Sequence, residues 1–394
     1  MRAIMRTIIS GALVAVVSAL FSVSRAQEET GLVPLFNGRD LAGWVNVNCA
    51  PDTWSVRDGM IHSTGKPICE LRTARMFENF ILELEYQHLD AQGNAGVFIW
   101  GDALTARGQP FVRAIEVQVL DGRNTENYTS HGDVFAIHGA RMTPDRPHPG
   151  GWMRSLPTER RARPAGEWNH YRITARNGTI KLAVNGKEVS GGYDITPRKG
   201  YIHLESEGGR VLYRSLRVKE LPSSGALTPE QVAQADEGFV SIYNGVDFSG
   251  WQYPAGHAGH WVSKDWTIAY DGRSTAEDKD LWTEKSYGDL ALIVDWRWMD
   301  DAVHAVAPLP IRFAGVELPG EGRNAVGRAL LPIPSKDQWR RALVTKRGGR
   351  LTLVIDGQSV LQEMAVPELE RPGRIALRHD GRAVEFANVF LKQF

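Results

Sequence analysis

From residue 27 onward the chain is written in short runs whose apolar residues recur at every second position. Phe80, Leu82, Leu84 and Tyr86 alternate with Ile81, Glu83, Glu85 and Gln87, while Ile115, Val117 and Val119 alternate with Glu116 and Gln118. A period of two is that of a strand with one face toward a core. Long helical periodicity is missing. Asn185-Gly186 and Asp356-Gly357 follow apolar runs, and both dipeptides suit a type I′ hairpin turn, whose two central residues take positive φ. The pattern predicts an all-β chain of antiparallel hairpins, folded as a sandwich or jelly roll with one sheet face left open.

The same pattern occurs twice. Leu35-Phe36-Asn37-Gly38-Arg39-Asp40-Leu41-Ala42-Gly43-Trp44 returns as Ile242-Tyr243-Asn244-Gly245-Val246-Asp247-Phe248-Ser249-Gly250-Trp251. Leu71-Arg72-Thr73 returns as Leu281-Trp282-Thr283, Trp168 before Asn185-Gly186 as Trp339 before Asp356-Gly357, and residues 200–219 as 373–392. Landmarks kept in order predict a duplicated domain. The predicted organisation is a sandwich over 27–222, a linker over 223–235 with a short helix opening at Thr228-Pro229-Glu230, and a second, degenerate sandwich over 236–394.

Alternation also assigns faces. In residues 95–100, Ala95, Val97 and Ile99 are expected to enter the core, leaving Phe98 and Trp100 outward beside Asn94. Glu116 and Gln118 share an outer face that Asp121 closes, and Tyr201, His203, Glu205 and Glu207 share another. Carboxylates, amides, a histidine and rings on one face suit a sugar, whose hydroxyls pair with carboxylates and amides while its C–H face stacks on aromatics. The second copy serves as a control. Thr73 to Trp168 spans 95 positions but Thr283 to Trp339 only 56, and the missing stretch is the one that holds Asn94, Glu116, Gln118, Asp121, His131 and His138. Glu205 is replaced by Arg378 and Arg214 by Ala387, while Glu207 is only changed to Asp380. Turns kept and polar residues lost point to function in the first copy.

Arg2 and Arg6 precede an apolar run, residues 8–21, and Ser24-Arg25-Ala26 offers small residues where a signal peptidase reads. Residues 1–26 are therefore expected to be a signal peptide, with the mature protein periplasmic or extracellular. The run is shorter than the roughly 20 residues that span a bilayer, so no membrane span is expected. Lys plus Arg balances Asp plus Glu, 46 against 46, with no basic stripe; nucleic acid and anionic membranes are poor partners. Cys49 and Cys69 are too few for a disulfide framework, although an oxidising compartment would permit one bridge. The oligomeric state is not legible.

Leu35-Phe36-Asn37-Gly38 with Trp44, Gly93-Asn94-Ala95-Gly96-Val97-Phe98, the stretch Ile115-Glu116-Val117-Gln118-Val119-Leu120-Asp121, Gly166-Glu167-Trp168-Asn169 and Asn185-Gly186 together resemble the bacterial 3-keto-disaccharide hydrolase family, whose fold is a concanavalin A-like jelly roll. The resemblance covers residues 31–221, with Ala95 and Trp100 standing where the family usually has Ser and Arg. It implies a secreted enzyme that cleaves glycosides oxidised at carbon 3. A ketone there acidifies the hydrogen on carbon 2; a base removes it, the enolate expels the glycosidic oxygen, and water adds back. Such a site needs a base, an acid and donors for the enolate oxygen. His138 is the first candidate for the base, with Glu116 or Asp121 orienting it or donating the proton. Substrate contacts are expected from Asn94, Phe98, Trp100, Gln118, His131, His203, Glu205 and Glu207. No cofactor is required by the pattern; Ca²⁺ on Asp121 and Glu116 is the alternative way to hold the enolate, without a calcium-loop spacing to support it. The competing functional reading is a non-catalytic carbohydrate-binding module of the cell envelope.

Overall fold

The computed structural model describes residues 31–121, 131–252, 255–277, 280–300, 309–318 and 335–394. The segment expected to be a signal peptide lies outside them. Among the described residues every regular element is a strand apart from three single 3-10 turns, Pro229–Gln231, Ala255–His257 and Pro367–Leu369. The first is the short helix expected in the linker, reduced to one turn capped reciprocally by Thr228 and Gln231. No helix among the described residues is long and apolar enough to cross a membrane.

The first unit is two antiparallel sheets over one core. One sheet runs Arg141–Pro144, Lys187–Thr196, Thr179–Val184, Asn169–Arg176, Phe80–His88, Val211–Glu220, Met60–Ser63, Trp54–Arg57. The other runs Arg154–Ser155, Val134–Ile137, Ala114–Gln118, Gly96–Gly101, Tyr201–Ser206, Cys69–Thr73, Trp44–Val47. Phe80, Leu82, Leu84 and Tyr86 meet Val97, Ile99, Ile115 and Val117 between the sheets, so the alternation read from the sequence is the alternation that builds the core. Cys49 and Cys69 are free thiols, the Cys49 thiol donating to the Glu70 carbonyl at 3.0 Å.

The second unit repeats this order. Its larger sheet runs Trp261–Lys264, Thr267–Tyr270, Val384–Gln393, Leu290–Trp298, Arg340–Arg347, Arg350–Ile355, Gln358–Ala365, and its smaller sheet Trp251–Gln252, Leu281–Tyr287, Gly373–Leu377, Ile311–Phe313, Val316–Glu317. Registers coincide as well: Leu71 lies opposite Leu204 as Leu281 lies opposite Leu377, and Tyr86 opposite Tyr213 as Trp296 opposite Phe386. The shared opening motif has a local cause. Asn37 Oδ1 accepts the amides of Arg39 and Asp40 at 2.8 and 3.0 Å, and Asn244 Oδ1 accepts those of Val246 and Asp247 at the same two distances. Asn185 and Gly186 have φ 47° and 87°, Asp356 and Gly357 50° and 80°, the type I′ hairpins that their sequences predict.

The units meet through Val47, Ala103, Leu104 and Tyr201 of the first and Ile293 and Phe390 of the second. A polar seam continues this contact, with Asn48 Nδ2 donating to Asn388 Oδ1 at 2.9 Å and Ile68 N to Asp265 Oδ1 at 2.7 Å.

Candidate functional site

Four adjacent strands of the first unit, Ala114–Gln118, Gly96–Gly101, Tyr201–Ser206 and Cys69–Thr73, carry the polar face. Phe98 stands opposite Glu116 on one side and His203 on the other, and Glu205 stands opposite Glu70. Glu116 and Glu205 converge above Gly96, where a Cβ would lie 2.7 Å from Glu205 Oε2 and 3.1 Å from Glu116 Oε1. Glycine is the residue that leaves both carboxyl groups this room. Glu207 extends the row, accepting from Asn94 Nδ2 and meeting Glu205.

This face is roofed rather than open. Glu116, Glu205 and His203 are 5 %, 1 % and 0 % exposed. The segment 102–113 folds back across it, so that Phe111, Val112 and Ala114 pack on Phe98 and the Val112 amide donates to Glu70 Oε1 at 2.7 Å. The other oxygen of Glu70 lies 2.5 Å from His203 Nδ1, a buried carboxylate set against one imidazole nitrogen.

Burial governs the charge of the cluster. It holds the Glu116 carboxyl well above the usual carboxylate range; Glu207 adds to the shift and Arg154 opposes it. Arg154 lies over the Phe135 ring, 3.8 Å from its centre. Glu205 is likewise pushed well up, by burial first and then by Glu116 and Glu207. Neither of its oxygens has a hydrogen-bond donor among the described residues. Glu207 is raised by burial, with Glu205 and Asn94 pulling the other way. Like charges this close do not all ionise together, so the cluster holds protons above the usual carboxylate range. One carboxyl has a cation in its field and another has none, an arrangement able to supply a base and an acid together.

Several residues expected on this face lie elsewhere. Trp100 is 0 % exposed and belongs to the core between the sheets, donating its Nε1–H to the Glu78 carbonyl at 2.7 Å. The cause is a bulge: Tyr201 opposes Gly101 and His203 opposes Phe98, leaving Ile99 and Trp100 both against Ile202, with Trp100 at φ 57°. The extra residue reverses the alternation, and Gly101 takes the place on the polar face. Phe98 does turn away from the core but is covered by Phe111 at 5.5 Å, ring centre to centre.

His131 and Asp121 form a separate cluster at the end of the sandwich. His131 Nδ1 is 2.8 Å from Tyr86 Oη, its Nε2 is 3.8 Å from Asp121, and its ring is 5.7 Å from that of His88. Burial, with His88 next, holds the His131 ring down at about 3. His138 lies in neither place. It borders a cleft of about 470 Å³ between the units, with Arg107 and Gln109 of the first and Arg341 and Asp356 of the second. Burial lowers its pKa to about 4, which suits a base poorly at neutral pH. The pairing of Glu116 with Asp121 is therefore not assembled, and among the described residues no three His, Cys, Asp or Glu side chains are grouped to hold a metal ion. Gln118 has its Oε1 3.0 Å from the Val119 amide, which donates to it.

Glu70 and Arg154 were not anticipated. For Glu70 the signal was present, since Glu70 and Arg72 alternate with Cys69 and Leu71 in a strand; Arg154 lies on a two-residue strand, Arg154–Ser155, too short for any period to mark it.

Against known proteins, residues 31–219 match the profile of the 3-keto-alpha-glucoside-1,2-lyase-like domain. A curated relative, the 3-keto-disaccharide hydrolase of Bacteroides thetaiotaomicron, is 26 % identical over 241 residues, covering 48 % of this chain and 79 % of the relative. Among solved structures, a Parabacteroides distasonis protein designated a candidate glycosyl hydrolase is 20 % identical with a TM-score of 0.39, covering 49 % of this chain and 94 % of that one. A carbohydrate-binding module from Bacillus subtilis is 12 % identical with a TM-score of 0.33, covering 45 % and 96 %. The profile match thus falls on the unit that holds the carboxylate cluster, and residues 31–219 are similar to the 3-keto-alpha-glucoside-1,2-lyase-like domain.

Proposed function

We propose that this chain is an exported enzyme that cleaves 3-keto-glycosides, 3-keto-disaccharides among them, by removing the proton on carbon 2, eliminating the glycosidic oxygen and adding water to the product. The observation that carries this reading is the convergence of Glu116 and Glu205 above Gly96. Glu116, with Arg154 in its field, is the member that takes the carbon-2 proton. Glu205, without a donor or a cation, stays protonated and delivers its proton to the departing oxygen. Asn94, bonded to Glu207, and Gln118 are placed to hold sugar hydroxyls. Similarity to that domain over 31–219 supports the substrate class, and the charged, apolar and small-residue order of residues 1–26 supports export.

The purified protein incubated with a 3-keto-disaccharide should release both sugars, and the unoxidised disaccharide should survive. Glu116→Gln and Glu205→Gln keep the shape but not the proton traffic, and each should lower kcat by roughly 10²–10⁴-fold with little change in KM. Binding of the keto sugar without turnover would sink the enzyme and leave the carbohydrate-binding module.

A further inference from the structure

The segment that roofs the carboxylate face is held by the other unit. Asp295, on the strand Leu290–Trp298, is 0 % exposed and accepts the Gly108 amide at 2.7 Å. Arg341 donates to both Asp295 oxygens, at 2.6 and 2.8 Å, and to the Thr105 carbonyl at 2.9 Å. Asn388 Nδ2 lies 3.1 Å from the Ala106 and Gln109 carbonyls and 2.7 Å from Asp295. Gly108, at φ 64°, rests on the Trp339 ring so closely that a Cβ would stand 2.1 Å from Cγ.

The grip extends into the site. Within the segment, the Ala106 amide donates to the Phe111 carbonyl at 2.9 Å and the Gln109 amide to the Ala106 carbonyl at 3.0 Å. These bonds make residues 106–111 a closed turn with its tip in the second unit. The turn ends on Phe111, against Phe98, and on Val112, whose amide bonds Glu70 Oε1 at 2.7 Å. Glu70 in turn meets His203 Nδ1 at 2.5 Å, and His203 shares its strand face with Glu205. A series of buried contacts therefore runs from Asp295 to the Glu70–His203 pair, on the strand face that also carries Glu205.

We propose that Asp295 is a positioning residue for the first unit's site: by anchoring the turn at Gly108 it sets Val112 on Glu70 and so fixes the Glu70–His203 wall beside Glu205. The second unit, which lacks the carboxylate cluster itself, would thus complete the site rather than repeat it. This role rests on the enzymatic reading above for its effect on turnover, but not for its structural part.

The test uses the full chain and two variants that act by different routes. Asp295→Asn weakens the charge holding Arg341, and Gly108→Ala keeps every charge but drives a Cβ into the Trp339 ring. Both should speed amide hydrogen exchange across residues 102–113 and shift the His203 ring nitrogen resonances, which report its tautomer. Both should lower kcat on a 3-keto-disaccharide by roughly 10–100-fold with KM altered less, the size expected when supporting groups move by about an ångström. If parent-like exchange and parent-like His203 resonances accompany Gly108→Ala, the proposal is overturned, whatever Asp295→Asn does to folding. A parent protein without turnover defeats the enzymatic reading alone, because exchange and the ring resonances still decide the positioning role.

Discussion

Trp100 and Glu116 both sit at positions that alternation sends outward, and their different fates show what one residue's surroundings decide. Glu116 has Ile115 and Val117 in the core on either side, so its own side chain has no alternative to the polar face. Trp100 follows a bulge and is carried inward, where its ring packs edge-on against Phe80 at 6.5 Å. Trp100→Ala should therefore destabilise the fold by roughly 3–5 kcal/mol, the range for deleting a large buried ring. Urea denaturation measures this, and an unchanged midpoint with weakened sugar binding would put the ring back on the surface. Composition and period made Glu116, Gln118, His203 and Glu205 legible as one face. His131 and His138 were not placeable, because each sits in a turn outside any alternating run and its surroundings come from residues distant in sequence: Tyr86 for one, the cleft at Arg341 for the other.

Among elements, the strand Gly96–Gly101 separates framework from chemistry most clearly. Its first residue, Gly96, and the residue packed against its bulge, Gly200, are glycine for different reasons. At Gly96 an added methyl would meet the ends of Glu205, Glu116 and Phe98, all movable side-chain atoms. Gly96→Ala should fold with a modest loss of stability while pushing the carboxyl groups apart, and its kcat should fall far more than its melting temperature. Gly200, across the bulge, is the contrast: a Cβ there would stand 2.5 Å from the Trp100 carbonyl carbon and 2.6 Å from its oxygen, backbone atoms that have nowhere to go. Gly200→Ala should cost stability first. Parallel assays of turnover and thermal unfolding on the two variants check the distinction, and equal losses in both quantities would remove it. The hairpins at Asn185-Gly186 and Asp356-Gly357 were readable because their cause is local, two residues with positive φ. The bulge was not, since it is defined only by pairing with Tyr201–Ser206, and the roof formed by 102–113 was not, since the groups that hold it lie in the second unit.

At the scale of the whole molecule, two units of one strand order divide the labour of charge: the first buries a group of carboxyls with a shortage of cations, and the second replaces the Glu205 position with Arg378, which pairs with Glu317 at 2.7 Å. Burying Glu70, Glu116, Glu205 and Glu207 beside Arg154 and Asp133 has a consequence for stability that can be measured without substrate. The ordinary glutamate value is 4.5, and Glu116, Glu205 and Glu207 are all held above it in the fold. Below that pH each is protonated folded and unfolded alike, so their contribution is fully present. As pH climbs, the unfolded chain gives up these protons first, and stability falls until the folded values are passed. His131 and His138 slope the other way, since folded values of about 3 and about 4 lie below the ordinary 6.5; their contribution is present above 6.5 and is lost as pH falls toward the folded values. The maximum should lie between the two arms. Glu205→Gln removes one ionisable group from the upper arm only. Its melting temperature should match the parent's near pH 4 and exceed it increasingly as the pH climbs above the ordinary glutamate value, a gain in stability accompanying the loss of turnover, as expected where a buried group is kept for chemistry. A gap that stays constant over that climb would mean that Glu205 ionises equally in the folded and unfolded chain, and would withdraw from it the proton that the elimination step requires.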